Sequence, residues 1–460
     1  MPPPALRRFL PLLLLAVIFL LGLFLRLTAL TTSQVSEPIR GDARSYFFYG
    51  VNLHTDGVYA RSLPRFYGGQ PPRPDAVVGP VYPFFVSALM SEQWQQGSKQ
   101  AAYDSIRPVL FAQTLLGSLL VLLVYGLGRR FLGTGPALAA AFLTAVSPHL
   151  VNIGIYLLTE TLFMLLFWLG LWLLARGLAP EQRRAGLLAA AVLGLAALTR
   201  PVVQYLPFLL ALWLIMRTPE SWRRWGGFVG VFLLVFGAWG VRNLISVGSF
   251  GDPLAMVATL QHGSYPDFMY RGLPESLGIP YRFDPEMSLA TPLAETVRII
   301  FQRALAAPGE YLHWYALGKP LALFHWELIP VGTAGGNLLT GGDIYIYPTP
   351  VTPYAGHALF KATYLLSYVC YRPLLLLAVL ATVLAWLPAC RAFWGESLDM
   401  MRLLSLTFLY VIGLHTIGAP FPRYAIPFQP LLYLMAAGLA AAAWRHYRAG
   451  RQIERGAGVL

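Results

Sequence analysis

Cysteine and charged residues are scarce in this chain, and each scarcity excludes a class of protein. The 460 residues include only two cysteines, Cys370 and Cys390, which lie twenty positions apart. In a continuous helix they would be roughly 30 Å apart, so no disulfide framework holds the fold together. Charged residues make up only 12% of the chain, against roughly 25% in an ordinary soluble domain. Soluble globular proteins are therefore excluded.

Apolar residues fill the composition instead. They account for 57% of the chain, and the mean hydropathy is +0.57. The net charge is nevertheless +13 and comes almost entirely from arginine, because only Lys99, Lys319 and Lys361 are lysines. A nucleic-acid-binding protein can be that basic, but not at this hydropathy. The composition thus indicates an integral membrane protein.

Ten apolar runs have the length and the charged boundaries of bilayer-spanning helices, which need about 20 mostly apolar residues. The first run is long for a signal peptide and lacks a small-residue cleavage site, so we interpret it as a retained span. The ten predicted spans are 9–30, 108–128, 136–152, 159–176, 185–199, 202–216, 225–241, 366–389, 403–418 and 424–443.

The distribution of arginine predicts the orientation, because Lys and Arg in short loops stay on the cytoplasmic side. The N-terminus, alternate connections and the C-terminus together hold sixteen basic residues against five acidic ones. Both termini are therefore predicted in the cytoplasm, and the protein itself is predicted in a plasma or bacterial inner membrane. The opposite side is predicted to have two long polar segments, which we name the first outer segment (31–107) and the second outer segment (242–365). Function is expected there because loops on a rigid scaffold commonly carry it.

The predicted fold is an all-α polytopic bundle of about ten transmembrane helices with two long extracytoplasmic loops. Residues 1–445 are assigned to one membrane domain and 446–460 to a cytoplasmic tail, with no further domain expected after it. Residues 311–330 are apolar enough to be an eleventh span. An interfacial helix anchored by aromatic residues is the preferred interpretation, and the anchors would be Trp314, His325 and Trp326.

Asp42 is the first candidate for chemistry, because an aromatic helical pattern follows it and ends near Gly57. Position alone favours a structural role, since Asp is a preferred N-cap. The alternative is a general base, because a carboxylate at the mouth of a membrane cavity can accept a proton from an incoming hydroxyl group. The residues by themselves leave both open.

Glu160 is the only outer acid between Asp104 and Asp252, at the predicted start of the fourth span. The structural interpretation is a first-turn Glu favoured by the helix dipole. The functional one follows from the cost of charge in a span, which makes an isolated acid there a candidate site residue.

Three arginines lie at outer helix ends, where the positive-inside bias does not explain them. They are Arg200, Arg242 and Arg423. Any one of them could be an interfacial anchor. Together they favour an anion site, because a guanidinium binds phosphate through two donors and stays charged. A lipid phosphate is the ligand class that fits such a pocket at a membrane surface.

Other site patterns are missing from the sequence. It contains no P-loop, GxSxG or dinucleotide fingerprint, and its histidines show no metal-ligand spacing. No cofactor is required by the pattern, and a divalent metal is left open.

The order of these elements resembles the GT-C superfamily of polyprenyl-phosphate-dependent glycosyltransferases, in its protein O-mannosyltransferase and lipid A aminoarabinose transferase-like branch. The resemblance covers roughly 9–445. It rests on motifs in family-like places, namely Gly41-Asp42 followed by Tyr46 and Tyr49, Gly79-Pro80-Val81-Tyr82-Pro83, Thr159-Glu160-Thr161-Leu162, Thr199-Arg200-Pro201, Trp239 with Arg242-Asn243, and Arg423-Tyr424 with Pro427.

The resemblance implies inverting transfer of a hexose or pentose from a polyprenyl-phosphate donor to an acceptor on the extracytoplasmic face. It implies that Asp42 is the general base and Glu160 a second acid that orients a substrate. The residues it suggests for the lipid phosphate or substrate are Arg200, Arg242, Arg423, Tyr82, Tyr46 and Asn243.

One departure from the family pattern and two alternative functions qualify this expectation. Many relatives carry a second acid directly after the first-loop Asp, where this chain has Ala43. The alternatives are a transporter or flippase, which would favour repeated halves and midplane charges, and a non-enzymatic assembly factor. The expected partners are the lipid donor, an unknown lipid, glycan or protein acceptor and membrane lipids, with no nucleic acid, and the protein is expected to be a monomer.

Overall fold

The computed structural model describes residues 4–62, 71–326, 349 and 351–457. In these residues the regular secondary structure is helical, apart from one antiparallel bridge between Gln34 and Val351. The bridge ties the beginning of the first outer segment to the end of the second. The all-α prediction is confirmed.

The first half of the bundle follows the predicted runs. Its helices are α1 (Pro4–Thr32), α2 (Gly41–Thr55), α3 (Val81–Leu89), α4 (Lys99–Leu132), α5 (Thr134–Val146), α6 (Pro148–Asn152), α7 (Glu160–Gly177), α8 (Arg183–Thr199), α9 (Leu206–Arg217) and α10 (Trp222–Val247).

The second half begins with shorter helices in the outer segment and ends with three long ones. They are α11 (Pro253–Ser264), α12 (Leu293–Ala306), α13 (Pro308–His313), α14 (Lys319–Leu323), α15 (Pro353–Gly356), α16 (Ala358–Trp386), α17 (Arg391–Trp394), α18 (Leu398–Ile417) and α19 (Gln429–Ala457). The last helix continues through the predicted tail as far as Ala457.

All ten predicted runs are helical, but the count of ten spans is not confirmed. Seven helices of the described part are long and apolar enough to cross a membrane, or eight if a bent pair counts as one span. The runs that fall short are α8, with 17 residues, and α9, with 12.

The bent pair consists of α5 and the turn that starts at Pro148, which meet at 52°. Proline cannot continue the hydrogen-bond ladder of α5, so the run predicted as one span breaks at this point. The break leaves carbonyl groups at the end of α5 without helical partners. The buried Arg26 side chain of α1 donates to two of them, those of Thr144 and Ala145.

Small residues bring the central helices close together. The helix α7 packs along α8, and α4 packs against α5 and α7. A Cβ atom added to Gly177 of α7 would lie 2.6 Å from the backbone nitrogen of Gly186 of α8. Close backbone approach through small residues is typical of helix pairs in membranes.

Residues 311–326, the described part of the proposed interfacial stretch, do not belong to any candidate span. The predicted aromatic anchoring is wrong for both tryptophans. Trp314 packs against Phe268 and donates to the Gly263 carbonyl, while Trp326 packs on His149. Both are buried in the protein and therefore unavailable to lipid. The distribution of apolar residues alone does not separate an interior from an interfacial aromatic side chain.

Candidate functional site

Asp42 lies in the first turn of α2 and is not its cap. The cap is Arg40, and it makes no capping hydrogen bond through its side chain. The N-cap interpretation of Asp42 is therefore wrong. Its carboxylate instead accepts a hydrogen bond of 2.8 Å from Nη2 of Arg423. The Asp42 side chain is 35% exposed, so an incoming molecule can reach it.

Arg423 joins two acidic side chains. It follows Phe421 and Pro422 in the turn between α18 and α19 and is buried. While Nη2 binds Asp42, its Nε lies 3.3 Å from Oε1 of Glu160. One guanidinium thus links the start of α2 to the start of α7.

Glu160 is the first residue of α7, as predicted, but it is 1% exposed and so is not solvated. Its Oε1 lies 2.6 Å from Nη1 of Arg200. The same nitrogen donates to the hydroxyl oxygen of Thr159 at 3.1 Å. Two guanidiniums therefore balance the buried carboxylate, as a charge taken out of water requires. We name Asp42, Glu160, Arg200 and Arg423 the acid–arginine cluster.

The ring of Tyr424 lies beside both arginines of the cluster. The guanidinium carbon is 5.1 Å from the ring centroid for Arg200 and 5.5 Å for Arg423. Aromatic faces attract cations at such distances. Tyr424 and Thr159 belong to the sequence motifs but were not predicted as site residues. Their position next to a site residue in the sequence was the available signal.

Gly79 explains how the first outer segment reaches the end of α8. A Cβ atom at this position would overlap the carbonyl oxygen of Leu198. Only glycine permits that approach. The contact brings the Gly79-Pro80 turn against Leu198, which precedes Arg200 by two residues. The helix α3 therefore begins beside the cluster.

Tyr46 and Tyr82 form one wall near the cluster. Their ring centroids are 4.9 Å apart in an edge-to-face arrangement. Burial, together with the neighbouring Asp42 carboxylate, raises the pKa of Tyr46. The Tyr82 hydroxyl donates to Gln113 at 2.5 Å, and Gln113 donates to the carbonyl of Tyr156 shortly before α7. Gln113 was missed by the sequence analysis, although a buried amide in a span is an available signal.

Arg242 and Asn243 do not join the acid–arginine cluster. Arg242 donates to the carbonyl of Asp75 at 2.8 Å and to Asn243 at 3.1 Å. Its guanidinium carbon lies 4.7 Å from a ring centroid of Trp239 and 5.0 Å from that of Tyr59. These contacts attach the first outer segment to α10. Among the described residues, Arg242 thus has a different set of contacts from Arg200 and Arg423, and the shared anion site stays a prediction.

Candidate metal ligands are not grouped in the described part of the chain. No set of three His, Cys, Asp or Glu side chains there could hold a metal ion. His262 is buried, and burial lowers its pKa.

Comparison with known proteins supports the architecture. Residues 88–239 match the family model of dolichyl-phosphate-mannose-protein mannosyltransferases. The archaeal oligosaccharyltransferase AglB from Archaeoglobus fulgidus, solved with an inhibitory peptide and a dolichol-phosphate, aligns over 98% of this chain with a TM-score of 0.50 at 15% identity. The chain has a GT-C fold. The resemblance predicted from the sequence is thus confirmed.

The extent of these matches differs. This chain covers 52% of the archaeal oligosaccharyltransferase, about half its length. ArnT from Cupriavidus metallidurans, solved with undecaprenyl phosphate, aligns over 94% of this chain and 77% of its own length, at 13% identity and a TM-score of 0.40. No curated protein matches the chain significantly by sequence.

Proposed function

We propose that this protein is a membrane glycosyltransferase that transfers a hexose or pentose from a polyprenyl-phosphate donor to an acceptor on the extracytoplasmic face. The observation that carries the proposal is the acid–arginine cluster, in which a partly exposed acid and two arginines meet at helix ends. The GT-C fold and the mannosyltransferase family match support the lipid-phosphate donor.

In this proposal Arg423 and Arg200 bind the phosphate of the donor. Arg423 donates a hydrogen bond to the carboxylate of Asp42. A phosphate that binds Arg423 would compete for the same guanidinium and release Asp42 toward the acceptor. Because the guanidinium stays charged, the competition does not depend on its protonation.

The transfer step needs one base and one anion site. The acceptor hydroxyl oxygen attacks the anomeric carbon while Asp42 takes its proton. The bond between that carbon and the phosphate oxygen breaks, and the lipid phosphate leaves with the bonding electrons and a second negative charge. Fixed guanidinium groups stabilise that charge as it develops. Attack from the face opposite the leaving phosphate inverts the anomeric centre.

Glu160 has a different part in this proposal. It is buried and bound to both arginines, so no acceptor proton reaches it directly. We assign it to fixing the two guanidiniums in place. The resemblance had suggested a second acid that orients a substrate, and this assignment reaches the substrate only through the arginines.

The proposal is tested with the purified protein in lipid nanodiscs and a panel of polyprenyl-phosphate sugars and acceptors, by measuring release of free lipid phosphate. We expect turnover with at least one donor and its loss in Asp42→Asn. Asp56→Asn is the matched control, because Asp56 is an exposed acid at the other end of α2. Transfer by Asp42→Asn at the wild-type rate would overturn the base assignment. In sealed proteoliposomes, movement of an intact donor across the bilayer without lipid-phosphate release would instead identify a flippase.

A further inference from the structure

Residues Gly418–Pro422 connect α18 to Arg423, and we name them the Arg423 loop. The loop is short and leads directly to the guanidinium that binds Asp42 and Glu160. Its first residue, Gly418, ends α18. Any shift of the loop would therefore move Arg423. Three contacts from the second outer segment hold it, and the function proposed above uses none of them.

The first contact comes from Lys319, the first residue of α14. Its side chain is buried. The Nζ atom donates to the carbonyls of Thr416 at 2.8 Å and Gly418 at 3.0 Å, and it lies 3.6 Å from the ring centroid of Tyr315. These are the carbonyls left open at the end of α18, where a cation is favoured.

The second contact is a close backbone approach. A Cβ atom at Gly263 would overlap the carbonyl oxygen of Gly418. The carbonyl of Gly263 in turn accepts a hydrogen bond of 2.9 Å from the indole nitrogen of Trp314. The end of α11 is thus fixed between the Arg423 loop and the helical stretch that carries Lys319.

The third contact is an aromatic stack. Phe268 lies parallel to Phe421 of the Arg423 loop, with ring centroids 5.0 Å apart and an interplanar angle of 10°. Phe268 has a φ of 58°, and Asp267 and Arg271 nearby have 52° and 48°. Non-glycine residues rarely adopt this conformation, which persists only where the surroundings enforce it. The backbone of this turn is strained at the residue, Phe268, that packs against Phe421 of the Arg423 loop.

Lys319 makes no ion pair with an acid in the described residues. Burial lowers the pKa of its amine to about 7, because removal from water disfavours the charged form even next to the end of a helix. An apolar side chain would fill the same space at a lower cost of desolvation. What only the amine provides is a pair of directed hydrogen bonds to the end of α18.

We propose that Lys319 is a positioning residue, which holds the Arg423 loop so that Arg423 reaches Asp42 and Glu160. Phe268 assists it through the stack on Phe421. The second outer segment thereby controls phosphate binding without touching the phosphate. This inference rests on the proposed function for its effect on lipid-phosphate binding, but not for its effect on the loop.

The loop is tested first, without substrate. Hydrogen exchange of peptides that cover residues 416–424 is compared in the wild type, Lys319→Met and Lys361→Met, in nanodiscs. Lys361 is an exposed lysine on α16 and serves as the matched control. We expect at least about tenfold faster exchange of this peptide in Lys319→Met only. Unchanged exchange there would overturn the proposal, whatever the catalytic activity of the protein.

The link to Arg423 is tested by a double-mutant cycle on the binding of a polyprenyl monophosphate. We expect Lys319→Met to weaken binding about tenfold in the wild-type background and hardly at all in Arg423→Gln, since residues that act through one another are not additive. Equal losses in both backgrounds would overturn the positioning role. If the wild type binds no polyprenyl monophosphate, the proposed function fails, while the exchange experiment still decides the role of Lys319.

A second variant keeps the test open if Lys319→Met does not fold. Phe268→Leu keeps an apolar side chain but removes the ring that stacks on Phe421. It is expected to raise exchange over the same peptide and to weaken lipid-phosphate binding through Arg423 in the same way. If this variant leaves both measurements at the wild-type level, the second outer segment does not position Arg423.

Discussion

Arg423 and Asp42 are 381 positions apart in the chain, yet Nη2 of one donates to the carboxylate of the other at 2.8 Å. The same guanidinium contacts Glu160. The candidate site is therefore closed only when the last helices pack against the first outer segment. Damage to either end of the chain is expected to affect the same chemistry.

Arg423→Lys is expected to reduce transfer even though it preserves the positive charge. The guanidinium reaches Asp42 through Nη2 and Glu160 through Nε, whereas an ammonium has a single nitrogen and no fixed fork. We expect kcat/KM for lipid-phosphate release to fall by about 10² or more, the size seen when one donor to a developing anion is removed. Arg107→Lys, at an exposed arginine of α4, is the control. Wild-type kcat/KM in Arg423→Lys would refute the need for the fork.

Glu160→Gln is expected to lower the free energy of unfolding. The buried carboxylate lies between Arg200 and Arg423. Its removal takes away the acidic partner of Arg200 and leaves Arg423 with Asp42 alone. Breaking such a pair costs about 3–5 kcal/mol. Denaturant titration in detergent measures the change. Glu92→Gln, at an exposed acid, should change the value by less than about 1 kcal/mol, and equal effects of the two variants would count against the buried network.

Gly79→Ala is expected to disturb the approach of the first outer segment to α8. The added Cβ would overlap the Leu198 carbonyl, which is backbone and cannot rotate away. We expect a lower melting temperature and a loss of transfer, because Leu198 is only two residues before Arg200 of the cluster. Gly237→Ala in α10 is the control, since nothing lies within 4 Å of its added Cβ. If both variants have the melting temperature of the wild type, the close approach has no structural importance.

The second outer segment is expected to lose stability in acid. Burial alone would raise the pKa of Asp284, but hydrogen bonds from Arg303 and Tyr265 outweigh it and hold that pKa below its usual value. The unfolded chain therefore binds this proton first as the pH falls, so the stabilisation is complete above about pH 4. It is lost as the pH falls further, through the pKa of the folded state.

Asp284→Asn checks this pH dependence. Melting temperatures between about pH 3 and pH 7 should show a smaller acid-induced decrease in the variant than in the wild type, together with lower stability at neutral pH. Asp104→Asn, whose aspartate pairs with the exposed Arg107, is the control and should keep the wild-type slope. An unchanged slope in Asp284→Asn would contradict the assignment.

Local sequence patterns were sufficient for much of the secondary structure and for part of the site. Each of the ten apolar runs is helical, because backbone N–H and C=O groups in an apolar phase need hydrogen-bond partners within the helix itself. Glu160 begins α7 and Arg200 directly follows α8, as their spacing from the apolar runs predicted. Several motifs that carried the GT-C resemblance lie in turns or at helix ends, whereas Trp239, Arg242 and Asn243 lie within α10. Length and composition did not predict the number of spans, since α8 and α9 are helical but too short to count as candidate spans.

The tertiary structure decided which of these residues meet. Arg423 joins Asp42 whereas Arg242 lies against Trp239 and Tyr59, although the sequence presents both arginines in the same way at a helix end. Lys319 is buried against the end of α18, while its sequence neighbourhood suggested an interfacial helix. Periodicity and capping report on neighbours within a few residues. Contacts across hundreds of positions depend on how the helices pack, and no local pattern in a single sequence records that.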